Sequence, residues 1–417
     1  MARRLWFACG ADPDDSNLPH FTKGDDVTPV PRLRAHDGPA LLSYGFRPFF
    51  LLAGLYAGGT ILVWLPIFHG ELFTATAFAP RDWHIHEMLF GYVAAVVTGF
   101  LLTAIPNWTG RLPLQGAPLL VLVSVWLAGR VAVTTSAWIG WAPAAVIDAA
   151  FLVLVAAATA REIAAGRNWR NLKVVAVIGV LAIANIGFHL EAHFSGIADY
   201  AMRAAIGAIV LLITLVGGRV VPSFTHNWLA RAGAGRLPAP FGRVDVATVV
   251  VSAGALVLWT ALPSGRLTAA SLLAAGLLQF VRLARWAGDR TYREPLVVIL
   301  HIAYAFLATG FLLTGAGALG LVAESAGIHA WAAGAFGTMT LAVMTRASLG
   351  HTGRQLTASA ATQAIYAAVV VAALARICAA LQPDWSTPLL HVAAFAWAAA
   401  FLGFGFYYMP ILCGARK

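Results

Sequence analysis

Residues 172–194 read LKVVAVIGVLAIANIGFHLEAHF. After Lys173 the run stays apolar as far as Asn185, and its polar side chains then gather at the end as His189, Glu191 and His193. A helix rises about 1.5 Å per residue, so about 20 apolar residues cross the hydrocarbon core of a bilayer. This run has that length and lacks the period-two alternation of a barrel strand. It reads as a transmembrane helix, the form in which a lipid-exposed backbone satisfies its own hydrogen bonds.

The same pattern recurs on both sides, over 49–68, 87–106, 116–135, 140–160, 201–221, 244–261, 267–287, 295–318, 328–347, 359–381 and 386–408. Gly, Pro and polar residues punctuate the intervals, as at Pro106-Asn107 and Pro383-Asp384. The expected fold is an all-α polytopic membrane protein of about twelve transmembrane helices. Composition agrees: of 417 residues, 60% are hydrophobic and 11% charged, where a soluble domain carries about 25% charged residues. Mean hydropathy is +0.77. These values exclude disorder, a coiled coil and a secreted disulfide scaffold. Residues 1–43 lack a long apolar run and read as a partly disordered cytoplasmic tail, with 44–417 a single transmembrane helical domain. The patch from Leu5 to Cys9 is too short for a signal-peptide core.

The net charge is +10, and its distribution points to membrane orientation, with no nucleic acid partner. With the N-terminus inside, basic residues alternate loop by loop. Of the 28 Lys and Arg residues, only Arg81, Arg130, Arg203, Arg266 and Arg376 fall outside, a positive-inside pattern that puts both termini in the cytoplasm. Trp83, Trp108, Trp138, Trp141, Trp169, Trp228 and Trp385 fall at expected interfaces and fit an aromatic belt.

That topology sorts the histidines by depth. His84 and His86 open the second span, His189 and His193 close the fifth, His329 opens the tenth, and His391 lies about one turn into the twelfth. All six share the outer third of the bilayer. Imidazole ligates copper, haem iron and zinc, whereas interfacial histidines without a metal simply hydrogen-bond loops and headgroups. His189 and His193 share one helix face, while His84 and His86 point to nearly opposite faces and can serve different metals. Glu87 and Glu191 lie beside these pairs as outer partners that would fix a histidine tautomer. Asp148, mid-span, is a proton relay or a paired acid. On the inner side, His301 lies within a span, and His351 and His226 in loops. Cys9, Cys378 and Cys413 show no metal spacing, and without CxxCH any haem is held non-covalently.

Six segments carry a resemblance. They are Gly45-Phe46-Arg47-Pro48-Phe49-Phe50, Trp83-His84-Ile85-His86-Glu87-Met88-Leu89-Phe90-Gly91, Pro106-Asn107-Trp108-Thr109-Gly110, the stretch from Asn185 to His189, the run from Gly217 to Thr225, and Met339 to Ala347 leading into Gly350-His351-Thr352-Gly353-Arg354. In this order they resemble the NnrS family of bacterial membrane proteins. The resemblance implies twelve helices in the bacterial inner (cytoplasmic) membrane, haem and copper, and a link to nitric oxide and nitrosative stress. It marks His84, His86, His189, His301, His329 and His351, and leaves His193, His226 and His391 outside the pattern. Haem b and copper are the expected cofactors. His86, His189 and His329 are expected at iron, with His84 helping copper, and Arg130, Arg203 and Arg376 pairing with haem propionates. His301 and His351 form an expected inner site. The implied function is handling of nitric oxide, by reduction, binding or detoxification, with a separate electron donor if the chain is an oxidoreductase resembling nitric oxide reductases. The alternatives are a transporter of copper, haem or a small molecule, and a sensor or assembly factor.

Overall fold

The computed structural model describes residues 36–417, and among them the chain is entirely helical. Most of the expected tail, with Cys9 and His20, lies outside the described residues. Eleven helices are long and apolar enough to cross a membrane. They are α1 (Phe46–Phe68), α2 (Pro80–Thr109), α3 (Ala117–Thr134), α4 (Trp141–Ala165), α5 (Leu172–Ser195), α6 (Asp199–Ala232), α7 (Arg243–Ala261), α8 (Arg266–Ala284), α9 (Pro295–Ala318), α11 (Ala360–Leu381) and α12 (Ser386–Cys413). Between α9 and α11, residues 324–351 form α10 in three contiguous pieces: Glu324–His329, Ala330–Phe336 and Gly337–His351.

Helix α10 is the expected tenth span, but it is less apolar than the others for a physical reason. It packs against α1, α6, α9, α11 and α12, so protein surrounds it. Thr338, Thr345 and Ser348 are fully buried on it. Helix α2 is equally interior, with 83% of its most apolar window buried. Both central helices widen into a π-helical turn, at Glu87–Val93 in α2 and at Ala330–Phe336 in α10. Such turns add a residue to the helix and re-aim its side chains, often at functional sites. Each follows directly on a histidine, His86 or His329. Tyr92 and Thr340 hydrogen-bond across the two helices.

The structure moves several expected boundaries. Helix α2 starts at Pro80, a first-turn position where a missing N–H costs nothing. His84 and His86 therefore lie inside the helix, not at its opening. Helix α6 runs through Pro222 to Ala232, so His226 is helical, not in a loop. Proline is tolerated within membrane helices because neighbouring groups satisfy the freed carbonyl. His351 is likewise the last helical residue of α10. Trp83 is not in an interfacial belt: it is buried against Ile67 and Val133.

A candidate metal centre beside α2

Four helices converge on His86. From α2, His86 and Glu87 point toward α3, α4 and α5, where Arg130, Asp148, Asn185 and His189 sit; all six side chains are buried. His86 Nδ1 lies 3.1 Å from Glu87 Oε1. A carboxylate only accepts, so Nδ1–H donates to it. In neutral His86 the lone pair is then on Nε2. That nitrogen lies 3.1 Å from Asp148 Oδ2 and 3.0 Å from Asn185 Oδ1. His189 Nε2 reaches the same Asp148 oxygen at 3.0 Å. Arg130 donates to Glu87 Oε2 at 2.8 Å and also to Asp148 Oδ1, and the Tyr56 hydroxyl donates to Glu87 Oε2. His86, Asp148 and His189 thus present three ligand atoms within 4.8 Å of one another, a set that could hold a metal ion.

Local packing explains how these groups come so close. Gly129 has no side chain, and a Cβ there would lie 3.0 Å from Asp148 Oδ1, so α3 and α4 touch beside the Arg130–Asp148 pair. A Cβ on Gly91, in the wide turn of α2, would lie 3.0 Å from Arg130 Nη1 and 3.1 Å from Glu87 Oε2. Phe78, Phe90 and Phe188 close over the imidazoles, with ring centroids 5.0–5.3 Å from His86. Phe78 lies 5.1 Å from His189.

The opposite face of α2 carries a second group. His84 stacks on Trp64 of α1, with centroids 4.5 Å apart and planes 13° apart. Its Nδ1 is buried without a hydrogen-bond partner among the described residues. His84 and Arg376 both lie within electrostatic reach of His329 on α10. His329 Nδ1–H donates to the Ser325 carbonyl at 2.6 Å, which leaves the Nε2 lone pair free. Arg376 makes no ion pair or hydrogen bond among the described residues. The two-residue spacing of His84 and His86 therefore divides them between two faces, as the helical period requires.

Other expected residues lie elsewhere. His193 is exposed and stacks on Trp141 at 4.1 Å. His391 stacks on His69 at 5.2 Å. Glu191 accepts from the backbone N–H groups of Tyr200 and Ala201 at 2.8 Å, capping α6 and touching no histidine. Arg130 is engaged by two carboxylates, and Arg203 donates to the Thr260 carbonyl at 3.3 Å. His301 bonds Thr225 at 2.9 Å and lines a cavity of about 490 Å³ with Arg236, Gly288 and Asp289. His351 stacks between Tyr44 and Phe46, so the two inner histidines have separate surroundings. Tyr56 and Trp64 escaped the sequence reading, since a Tyr or Trp in an apolar run carries no signal of its own. Asn185 had one: a polar residue in a span, one turn before His189.

No curated protein matches the chain. The family model described as NnrS protein matches residues 40–416, nearly all of the described chain, and the protein therefore belongs to the NnrS family.

Proposed function

We propose that the chain is a metalloprotein of the bacterial inner membrane that handles nitric oxide at two metal loci on opposite faces of α2. The observation that carries this reading is the arrangement of acceptors at His86. With Nδ1–H given to Glu87, the Nε2 lone pair of neutral His86 faces Asp148 Oδ2 and Asn185 Oδ1. Acceptors do not face each other in a dry interior without a proton or a metal ion between them. Two carboxylates, Glu87 and Asp148, also stand against one guanidinium, Arg130. The excess negative charge favours a bound cation.

Two imidazoles and a carboxylate form a donor set suited to a first-row transition ion such as copper. His86, His189 and Asp148 would hold it. Glu87 orients His86, and Arg130 fixes the other oxygen of Asp148, the outer support that metal histidines and carboxylates ordinarily have. On the far face, His329, with its Nε2 lone pair free and its ring oriented by the bond to Ser325, would hold a b-type haem. Arg376 lacks an anionic partner and suits a propionate, and His84 adds an unpartnered ring nitrogen. When bound, these metals supply one-electron redox chemistry and an open position for a diatomic gas. The phenylalanines around His86 keep water out and admit a small neutral molecule through lipid. Turnover would draw electrons from a separate donor, and both termini would lie in the cytoplasm.

The test is metal analysis with optical spectra of the detergent-purified protein and its variants. His189→Ala should lose copper and keep the haem spectrum, whereas His329→Ala should do the reverse. Full metal and haem content in both variants would end this assignment.

A further inference from the structure

Three segments far apart in sequence meet at the end of the bundle where α1 begins. His351, at the end of α10, lies 5.6 Å from the ring of Tyr44 and 5.5 Å from that of Phe46. Arg47 is 4% exposed and donates to the carbonyls of Leu412 at 2.8 Å and Gly414 at 2.7 Å, at the end of α12. Gly353, in the left-handed region at φ +79°, turns the chain after α10 against the carboxyl of Lys417 and, beyond it, the side chain of Arg416. Lys417 N–H donates to the Thr352 carbonyl at 3.0 Å and fixes that contact.

The result is an unusual gathering of positive charge. Arg354 and Arg416 both act electrostatically on Arg47, and Arg416 acts also on His351 and Tyr44. None of the three arginines forms an ion pair among the described residues. Arg354 Nη1 is buried and has no hydrogen-bond partner among them. Like charges packed at a partly dry site repel, and a buried unpaired donor costs free energy. Both costs vanish when an anion binds. Beside them, burial holds the Tyr44 phenol up at about 12, so it remains a neutral donor.

The geometry points to a binding site for a phosphate group formed by Arg47, Arg354 and Arg416. Guanidinium forks match phosphate oxygens in pairs, which an ammonium cannot do. The site also lies at the start of α1 and the ends of α10 and α12, and basic pockets at the ends of membrane helices take anionic lipid. The phosphate can come from such a headgroup or from the free anion.

The experiment uses the full chain, delipidated in detergent, with phosphatidylglycerol or inorganic phosphate added and binding read by native mass spectrometry. Arg354→Gln and Arg416→Gln are the informative variants, since Arg47 also holds the end of α12. Arg243→Gln, an exposed arginine at the start of α7, is the control for general attraction. All variants are checked for monodisperse elution and an unchanged melting temperature. Binding that weakens about tenfold or more in Arg354→Gln, and stays put in Arg243→Gln, is the expected result. Phosphatidylglycerol binding without inorganic phosphate identifies the headgroup as the source; Arg354-dependent binding of inorganic phosphate identifies the anion. Equal binding by Arg354→Gln, Arg416→Gln and the unmodified chain overturns the proposal. So does an equal loss in Arg243→Gln, or failure of both probes to bind.

Discussion

Two buried ionic networks stand in this molecule, and they end differently. One joins α6 to α9. Arg282 donates to Asp245 at 2.8 Å, to the Thr214 carbonyl at 2.9 Å and to the Tyr304 hydroxyl at 3.0 Å. Tyr304 donates to Gln279, Gln279 donates to Thr214 and Ser252, and Arg285 adds a second bond to Asp245. There both oxygens of Asp245 are taken and two guanidiniums face one carboxylate, so the leftover charge is positive. The other network, at His86, brings two imidazoles, His86 and His189, onto one oxygen of Asp148, and in neutral His86 it leaves the Nε2 lone pair facing that oxygen. The same groups and the same dry surroundings thus give a lock in one place and, in the other, a cluster that could hold a metal ion. The sign of the leftover charge and the direction of the lone pairs make the difference.

The largest expected effect breaks the lock. Arg282→Ala strips Asp245 of its closest partner and leaves Tyr304 and Thr214 short of a donor. Removing one partner of a buried pair costs about 3–5 kcal/mol. The melting temperature in detergent should fall sharply, while the metal-to-protein ratio of the surviving folded fraction stays constant. A fall in that ratio would mean that the two networks are coupled.

A smaller effect comes from crowding the receptor. Gly91→Ala places a methyl group 2.9 Å from the Tyr56 ring and 3.1 Å from Glu87 Oε2. Overpacking of this kind costs about 1–3 kcal/mol. Since the displaced groups belong to the centre, metal content should fall together with stability. Gly59→Ala on α1, where a Cβ meets nothing within 4 Å, should change neither measurement.

Glu87→Gln tests the outer support directly. The amide is nearly isosteric but ends the charge that fixes His86, and losing such a partner weakens metal binding by about 10–100-fold. Titration with a competing chelator reads the change. Unaltered affinity would assign Glu87 to packing alone.

How far the sequence anticipates these networks depends on what each residue reports. Spans were legible because lipid demands long apolar runs, and even α10 was found, although protein surrounds it. Its true ends, and those of α2 and α6, were not: Pro80 starts α2 well before its apolar run, and Pro222 sits inside continuous helix. His86, His189 and Asp148 stood out as ionisable groups in apolar runs. Their grouping did not: Asp148 read as a relay or a paired acid with no partner named, and Arg130 as a propionate partner, since no local pattern says that α3, α4 and α5 turn these faces to α2. The π-helical turns were invisible for the same reason, as an extra residue in a helix leaves no mark on its period.

Glu191 separates nearness in sequence from nearness in space, and gives the smallest expected effect. It lies between His189 and His193 in the chain, which made it look like an outer partner of a metal histidine. In the fold its carboxylate turns away to the first N–H groups of α6, which the helix itself cannot satisfy. Its removal by Glu191→Ala is therefore a lost cap, worth about 0.5–2 kcal/mol. Because the junction after Gly196 is partly exposed, the value should fall at the lower end. Metal content, chelator competition and spectra should match the unmodified protein, in contrast to Glu87→Gln. Loss of metal from Glu191→Ala would place the centre nearer the end of α5 than Asp148 allows, and would bring His193 back as a ligand.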